Sequence, residues 1–365
     1  MAVQTLSAAE AIARRPAFGA VVDARSPGEY AEDHLPGAVN WPVLSDDERR
    51  LVGTDYRQVS AFEAQKRGAA LVARNIAAHI ERHVMAQPKG WQPLVYCARG
   101  GKRSASMAWF LDQMGFRTHV VEGGYKAFRA LVMAELATLP ERFRFEVLCG
   151  RTGSGKTRLL GALAARGAQV LDLEALAHHR GSVLGLVPGD AQPGQKAFET
   201  AVWSALHGFD AARPVYVESE SRKVGNLRVP EALIRRMREH GRCLRVEMPD
   251  AGRLALLFED YAHFVSDPPA FCGRLDALVA LRGRDVVAGW QQAARDGRFD
   301  VVFLDLMHRH YDPGYEKSMH TNFADFDAAP VVALADGGEA SLAAAAERLL
   351  IIQPGAQTPP ACTPA

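Results

Sequence analysis

The sequence predicts two α/β domains in succession, each a parallel sheet covered by helices. Three observations predict it: the length, the alternation of short apolar runs with helical periods, and two glycine-rich loops that each join a strand to a helix. At ~150 residues per domain, 365 residues correspond to two domains. Hydrophobic residues at 48% and charged residues at 23% are globular values and exclude a disordered chain. Lys plus Arg is 43 against 42 for Asp plus Glu, a formal net charge of +1, so a nucleic-acid partner must be met by a local patch. The five cysteines, at 97, 149, 243, 272 and 362, form no CxxC pair. That argues against a disulfide framework or a zinc knuckle and fits a reducing compartment. The N-terminus lacks the apolar core of a signal peptide, and no stretch approaches ~18 uncharged apolar residues. A cytoplasmic protein with no membrane partner is expected.

Phe18 to Ala24 (FGAVVDA) is a short apolar run followed by a Pro27–Gly28 turn, the pattern of a strand. Residues 63–85 interleave apolar positions with Arg and His at a helical period. Pro93 to Tyr96 makes a second buried strand that stops at Cys97, and a helix from Ala105 to Met114 closes at Gly115. A third strand, Thr118 to Val121, leads through Glu122-Gly123-Gly124-Tyr125 into a helix ending near Leu136. Such alternation implies a parallel sheet. Residues 137–144 (ATLPERFR) carry a proline, mixed charge and no period, and read as a linker between domains at 1–136 and 145–352. The second domain opens with the strand Phe145–Cys149, and further strands are expected at Gln169–Leu173, Val215–Glu218, Cys243–Met248, Val301–Leu306 and Val331–Ala335. The Pro- and Thr-rich tail, 353–365, is expected to be disordered.

Gly150, Arg151, Thr152, Gly153, Ser154, Gly155, Lys156 and Thr157 satisfy GxxxxGK[ST] at every position, between an apolar strand and a helix. The glycines let backbone N–H groups curl round an anion, and the helix N-terminus adds partial positive charge. Lys156 is expected to reach a phosphate oxygen, and the Thr157 hydroxyl to hold Mg²⁺. Three carboxylates compete to organise that ion, each at the end of an apolar run: Asp172, Glu218 and Asp305. The loop itself establishes only a polyphosphate, and no tightly bound cofactor is expected.

Cys97 sits where a strand ends and a helix soon begins, with Arg99, Lys102 and Arg103 around it and two glycines between. A nest of N–H groups, a helix dipole and three cations all favour a thiolate, which makes Cys97 a candidate nucleophile for an anionic substrate. Val21-Val22-Asp23-Ala24-Arg25 with Pro27, Glu29 and Tyr30, then His34-Leu35-Pro36-Gly37-Ala38-Val39-Asn40, together with Gly123-Gly124-Tyr125, resembles the opening signature and third-strand motif of the rhodanese family. That resemblance implies a sulfur-carrying loop cysteine. Cys97 to Arg103 is C-x5-R, one residue longer than in simple sulfurtransferases and shared with rhodanese-like phosphatases, which implies room for a larger tetrahedral anion.

A rhodanese-like domain followed by a P-loop NTPase-like domain resembles the tRNA 2-selenouridine synthase family. The supporting stretches are YCARGGKRS, GRTGSGKT, Asp172 to Ser182, Gln195 to Glu199, Val217 to Arg222 and His310-Tyr311-Asp312-Pro313. The resemblance implies replacement of sulfur by selenium in the wobble 2-thiouridine of tRNA, with selenophosphate as donor and a geranylated intermediate made from geranyl diphosphate. It leaves open whether Cys97 carries selenium or accepts phosphate. Two other readings stand beside it: an NTP-dependent tRNA thiolation enzyme with persulfide on Cys97, and a nucleotide-binding regulator with a rhodanese-like sensing domain.

His178-His179 and His308-Arg309-His310 lack a Cys or Glu that would complete a metal set, so no metal held directly by side chains is expected. The basic run Arg235, Arg236, Arg238, Arg242 and Arg245 is a candidate tRNA-phosphate contact, and Arg222-Lys223 a second. Asp46-Asp47-Glu48 reads as a solvated loop or helix start.

Overall fold

The computed structural model describes residues 3–182, 184–185 and 189–351. They fall into two compact units. The first runs to Thr138 and also takes Pro193–Ser204; the second takes Leu139–Gln192 and the chain from Ala205 onward.

Five short strands make the sheet of the first unit: β1 Gln4–Leu6, β2 Ala20–Asp23, β3 Ala38–Asn40, β4 Pro93–Tyr96 and β5 His119–Val121. Their order is β1-β5-β4-β2-β3, with every pair parallel, and Val22 lies opposite both Val95 and Val39. The apolar runs are continuous rather than alternating because helices cover both faces of such a sheet. Capping boxes start three of its helices, Ser7 with Glu10, Ser26 with Glu29 and Ser45 with Glu48. The acidic run at Asp46 is accordingly the first turn of the helix Asp46–Gln58.

The signature residues tie strand ends together. Arg25 pairs with Asp23 at 2.6 Å, donates to the Asp33 carbonyl at 2.7 Å, and lies 4.0 Å from the Tyr125 ring centre. Asn40 Nδ2 donates to the carbonyls of Asp23 and Arg25.

Pro193–Ser204, expected in the second domain, packs with the first unit instead. Phe198 and Trp203 are buried there, and the Trp203 ring stands edge-on to Phe128 at 5.6 Å. Thr200 Oγ1 donates to Asp33 at 3.0 Å, Lys196 pairs with Glu32, and Arg129 with Glu199. A helical period marks an apolar stripe but not the surface that covers it.

The second unit holds β6 Phe145–Cys149, β7 Gln169–Leu171, β8 Val215–Glu218, β11 Arg242–Glu247 and β12 Val331–Ala333, in the parallel order β12-β11-β6-β8-β7. Between β8 and β11, β9 Lys223–Val224 and β10 Leu227–Arg228 form a small antiparallel pair. The expected linker is structured: Leu139–Arg142 is a 3₁₀ turn, and Leu139, Pro140 and Phe143 are buried.

The strand expected at Val301–Leu306 is a helix, Phe299–Leu306. Phe299, Val302, Phe303 and Leu306 are buried while Val301 is 47% exposed, which is a 3.6-residue period. These side chains join Leu257, Phe264, Phe271 and Trp290 in a helical core of their own. A short apolar run does not by itself separate a buried strand from a buried helix. The tail 353–365, with Cys362, lies outside the described residues.

Candidate active site

Each glycine-rich loop leaves the C-terminal end of its sheet's central strand, β4 in one unit and β6 in the other. In open parallel sheets the chain diverges there to opposite sides, and the loop ends leave a crevice for ligands.

Cys97 follows Tyr96 and is buried. The helix after it runs Lys102–Gln113, three residues earlier than expected, so Lys102 and Arg103 stand in its first turn. Ser104 Oγ donates to Cys97 Sγ at 3.1 Å, and the thiol lies 3.7 Å from the Gly101 carbonyl. The carbonyls of Cys97 and Ala98 accept from Tyr125 N–H at 2.8 Å and Lys126 N–H at 3.0 Å. Gly124, at φ +57°, allows that approach: a Cβ there would sit 2.2 Å from the Cys97 carbonyl oxygen. The Gly-Gly-Tyr motif is thus the clamp on the cysteine loop.

A hollow of about 360 Å³ opens at the thiol, with Arg49, Arg99, Lys102, Arg103 and Glu29 around it. Arg103 grips Glu29 through two hydrogen bonds, 2.6 and 3.2 Å, and Arg49 meets the same carboxylate at 3.2 Å. Burial alone would raise the Glu29 pKa. The Arg103 hydrogen bonds and charge, with the Ser26 N–H and Arg49, outweigh it and hold Glu29 at about 2. Ser104 closes the YCARGGKRS stretch, whereas Arg49 carried no motif signal of its own.

In the second unit the loop reaches the helix Lys156–Ala164. Gly153 and Gly155 have φ of +75° and +83°, and Gly150 lies so close to the Val246 carbonyl that a Cβ would sit 2.7 Å from it. Lys156 Nζ donates to the carbonyls of Gly150 and Arg151 and stands 5.6 Å from the centre of the Tyr315 ring. Arg151 pairs with Glu316, and Thr157 Oγ1 donates to Glu174 at 3.0 Å. Beneath the loop, buried Arg253 donates to the Thr152 carbonyl at 3.0 Å and is gripped by Asp312 at 2.6 and 3.0 Å. Asp312 belongs to the His-Tyr-Asp-Pro stretch; Arg253 escaped the sequence reading.

The three acidic candidates separate. Asp172 caps the short helix Leu173–Ala177, accepting from Ala175 N–H at 2.8 Å. Asp305 lies on the helix Phe299–Leu306 rather than at a strand end, and is taken up by Trp290 Nε1 at 2.7 Å and Arg309 at 2.8 Å. Glu218 ends β8, 1% exposed; its Oε1 accepts from Glu174 N–H, while its Oε2 is buried with no hydrogen-bond partner among the described residues. Burial, then the charges of Asp172, Glu220 and Glu174, push Glu218 well up. Burial, then Glu220, pushes Glu174 up to about 8 despite Lys156 and Thr157. Burial lowers the Lys156 ammonium in turn. A buried carboxylate oxygen without a partner among the described residues, on a residue whose other oxygen holds the backbone of Glu174, the acid that Thr157 touches, fits a divalent cation.

The basic run is largely spent within the fold. Arg235 and Arg236 pair with Glu141, Arg236 also donates to the Phe143 carbonyl, Arg242 pairs with Glu146 and Arg245 with Glu247. Arg222 and Lys223 are exposed, and burial together with the Arg222 charge lowers the Arg238 guanidinium pKa. The histidines go to separate partners: His178 to Asp190, His179 to the Gly181 N–H, His308 to Asp250 and His310 to Arg282.

Fold and loops together define the class: an α/β chain joining a rhodanese-like domain to a P-loop domain. Residues 7–131 match the rhodanese-like domain family, and residues 143–270 match the tRNA 2-selenouridine synthase AAA domain. The chain is 34% identical to a tRNA 2-selenouridine synthase of Alcanivorax borkumensis over 282 residues, covering 75% of each chain. It is 36% identical to one of Marinobacter nauticus, over 74% of this chain and 70% of the relative. To one of Nitrosomonas europaea it is 36% identical, over 66% of this chain and 63% of the relative. The chain belongs to the tRNA 2-selenouridine synthase family. No helix among the described residues is long and apolar enough to cross a membrane.

Proposed function

We propose that this chain replaces sulfur by selenium in the wobble 2-thiouridine of tRNA in two steps, one at each loop. In the first, the thiocarbonyl sulfur attacks the allylic carbon of geranyl diphosphate. The carbon–oxygen bond breaks, pyrophosphate leaves and the base gives up its N3 proton. The P-loop amides and Lys156 receive the leaving diphosphate, where charge develops. Thr157 and Glu218 would hold Mg²⁺, which when bound supplies further positive charge at that diphosphate.

In the second step selenophosphate displaces the geranylthiolate at the base carbon, because an alkylated sulfur leaves more readily than a thiocarbonyl. The phosphorus–selenium bond of the adduct then breaks, its phosphoryl group passing to Cys97 or, where Cys97 with Arg99, Lys102 and Arg103 only binds the selenophosphate, to water. The observation that carries this reading is the pairing, in one chain of this family, of a cation-ringed thiol with a glycine-rich loop of the phosphate-binding pattern.

The steps separate by mutation. Lys156→Ala is expected to stop geranylation of thiolated tRNA while still converting pre-geranylated tRNA to selenouridine. Cys97→Ser is expected to accumulate geranylated tRNA. Nucleoside mass spectrometry of both products reads the outcome. A Lys156→Ala enzyme that geranylates at the wild-type rate refutes the role of the P-loop.

A further inference from the structure

The helix Asp46–Gln58 in the first unit carries a face that the two-loop reading does not use. Asp46, Arg49, Arg50, Gly53 and Arg57 fall at i, i+3, i+4, i+7 and i+11, so they share one side of the helix. They line a depression of about 540 Å³. Gly53 has no structural reason to be glycine: a Cβ there meets nothing within 4 Å, and its φ is not left-handed. A glycine inside a helix is otherwise unfavourable. What its missing side chain provides is space between three arginines.

Arg49 also lines the Cys97 hollow, so the two concavities share a residue. Arg57, Arg50 and Arg49 thereby continue into Arg99, Lys102 and Arg103. Asp46, in the same lining, accepts from the Gly28 N–H at 2.9 Å. Glu29 is shared between Arg49 and Arg103, and Asp47 pairs with Arg50, whose side chain is still 74% exposed. Arg57 Nε turns back to the Gly53 carbonyl at 3.2 Å. Tyr56, on the same helix three residues after Gly53, is 63% exposed.

We infer that this face is a track for a single-stranded stretch of RNA, guiding it toward Cys97. The inference rests on the tRNA reading above and adds where the first unit holds that partner. Guanidinium forks match phosphates, and an exposed ring on the same helix offers an unpaired base a stacking surface. From Arg49 to Arg57 the helix rises about 12 Å, the axial spacing of roughly three to four phosphates of a stacked strand. The net charge of +1 leaves attraction of a polyanion to such local patches.

The test is binding of a wobble-containing tRNA stem-loop to the full chain, by fluorescence anisotropy across a salt series. Arg50→Gln with Arg57→Gln is expected to weaken binding at least about tenfold. It should also flatten the plot of log affinity against log salt by roughly 1.4, at about 0.7 per lost single-strand phosphate contact. Tyr56→Ala should weaken binding about tenfold with little change of slope, as expected for one stacked base. Gly53→Met should weaken it at constant charge while leaving the melting temperature equal or higher, a result that a damaged fold would not give. If wild type binds RNA and these variants match it in affinity and slope, the track is refuted while the tRNA reading stands. If wild type binds no tRNA, both fall. If the variants instead lose binding to phosphatidylserine vesicles and keep RNA affinity, the face is a membrane surface and the inference is overturned.

Discussion

Glu29 shows how one carboxylate sets the electrostatics of the thiol loop. It lies between Arg103 and Arg49, takes the Ser26 N–H as part of a capping box, and is held at about 2. Its pKa is lower in the folded than in the unfolded chain, so it adds stability above pH about 4.5. That contribution disappears as the pH falls toward 2. Glu29→Gln should therefore cost about 1–3 kcal/mol at pH 6, the range for a hydrogen-bonded charge, and much less at pH 3. Urea unfolding of both proteins at the two pH values reads the difference. An equal cost at both would mean that Glu29 acts by shape rather than by charge.

At the scale of elements, the thiol loop depends on how closely a helix start approaches it. Gly124 has φ +57°, and a Cβ there would lie 2.2 Å from the Cys97 oxygen and 2.6 Å from the Gly100 nitrogen. Both neighbours are backbone and have little room to yield. Gly124→Ala should destabilise the first unit by about 2–4 kcal/mol, combining backbone strain with overpacking. Gly101→Ala meets nothing within 4 Å and should melt like wild type. Equal melting of the two variants would remove the clamp. Both loops were legible in the sequence because a strand, glycines and a helix must come in that order for an anion to meet backbone amides. Glu218 was legible as one of three strand-end acids. Separating it from Asp305 required knowing that Phe299–Leu306 is helical, which its burial against other helices decides. The Arg253–Asp312 pair beneath the P-loop spans 59 residues of sequence and leaves no local pattern to read.

For the whole molecule, sequence order and packing order differ at one place. Pro193–Ser204 follows β7 and precedes β8 in the chain, yet packs as part of the first unit. A boundary drawn at one point in the sequence therefore misassigns it, since the composition of residues 137–144 marks a change of sheet but not a later return of the chain. Trp203 tests this arrangement. It is 2% exposed, stands edge-on to Phe128, and its indole nitrogen donates to Glu135 at 2.7 Å. Trp203→Ala should cost roughly 3–5 kcal/mol, the range for deleting a buried aromatic ring. The loss should register in the first sheet, although the residue lies between two strands of the second. Hydrogen exchange read by mass spectrometry should show β4 and the helix Gly124–Leu136 losing protection, while β6 and β8 keep theirs. Loss of protection confined to β6 and β8 would place this segment with the second unit and overturn the division described above.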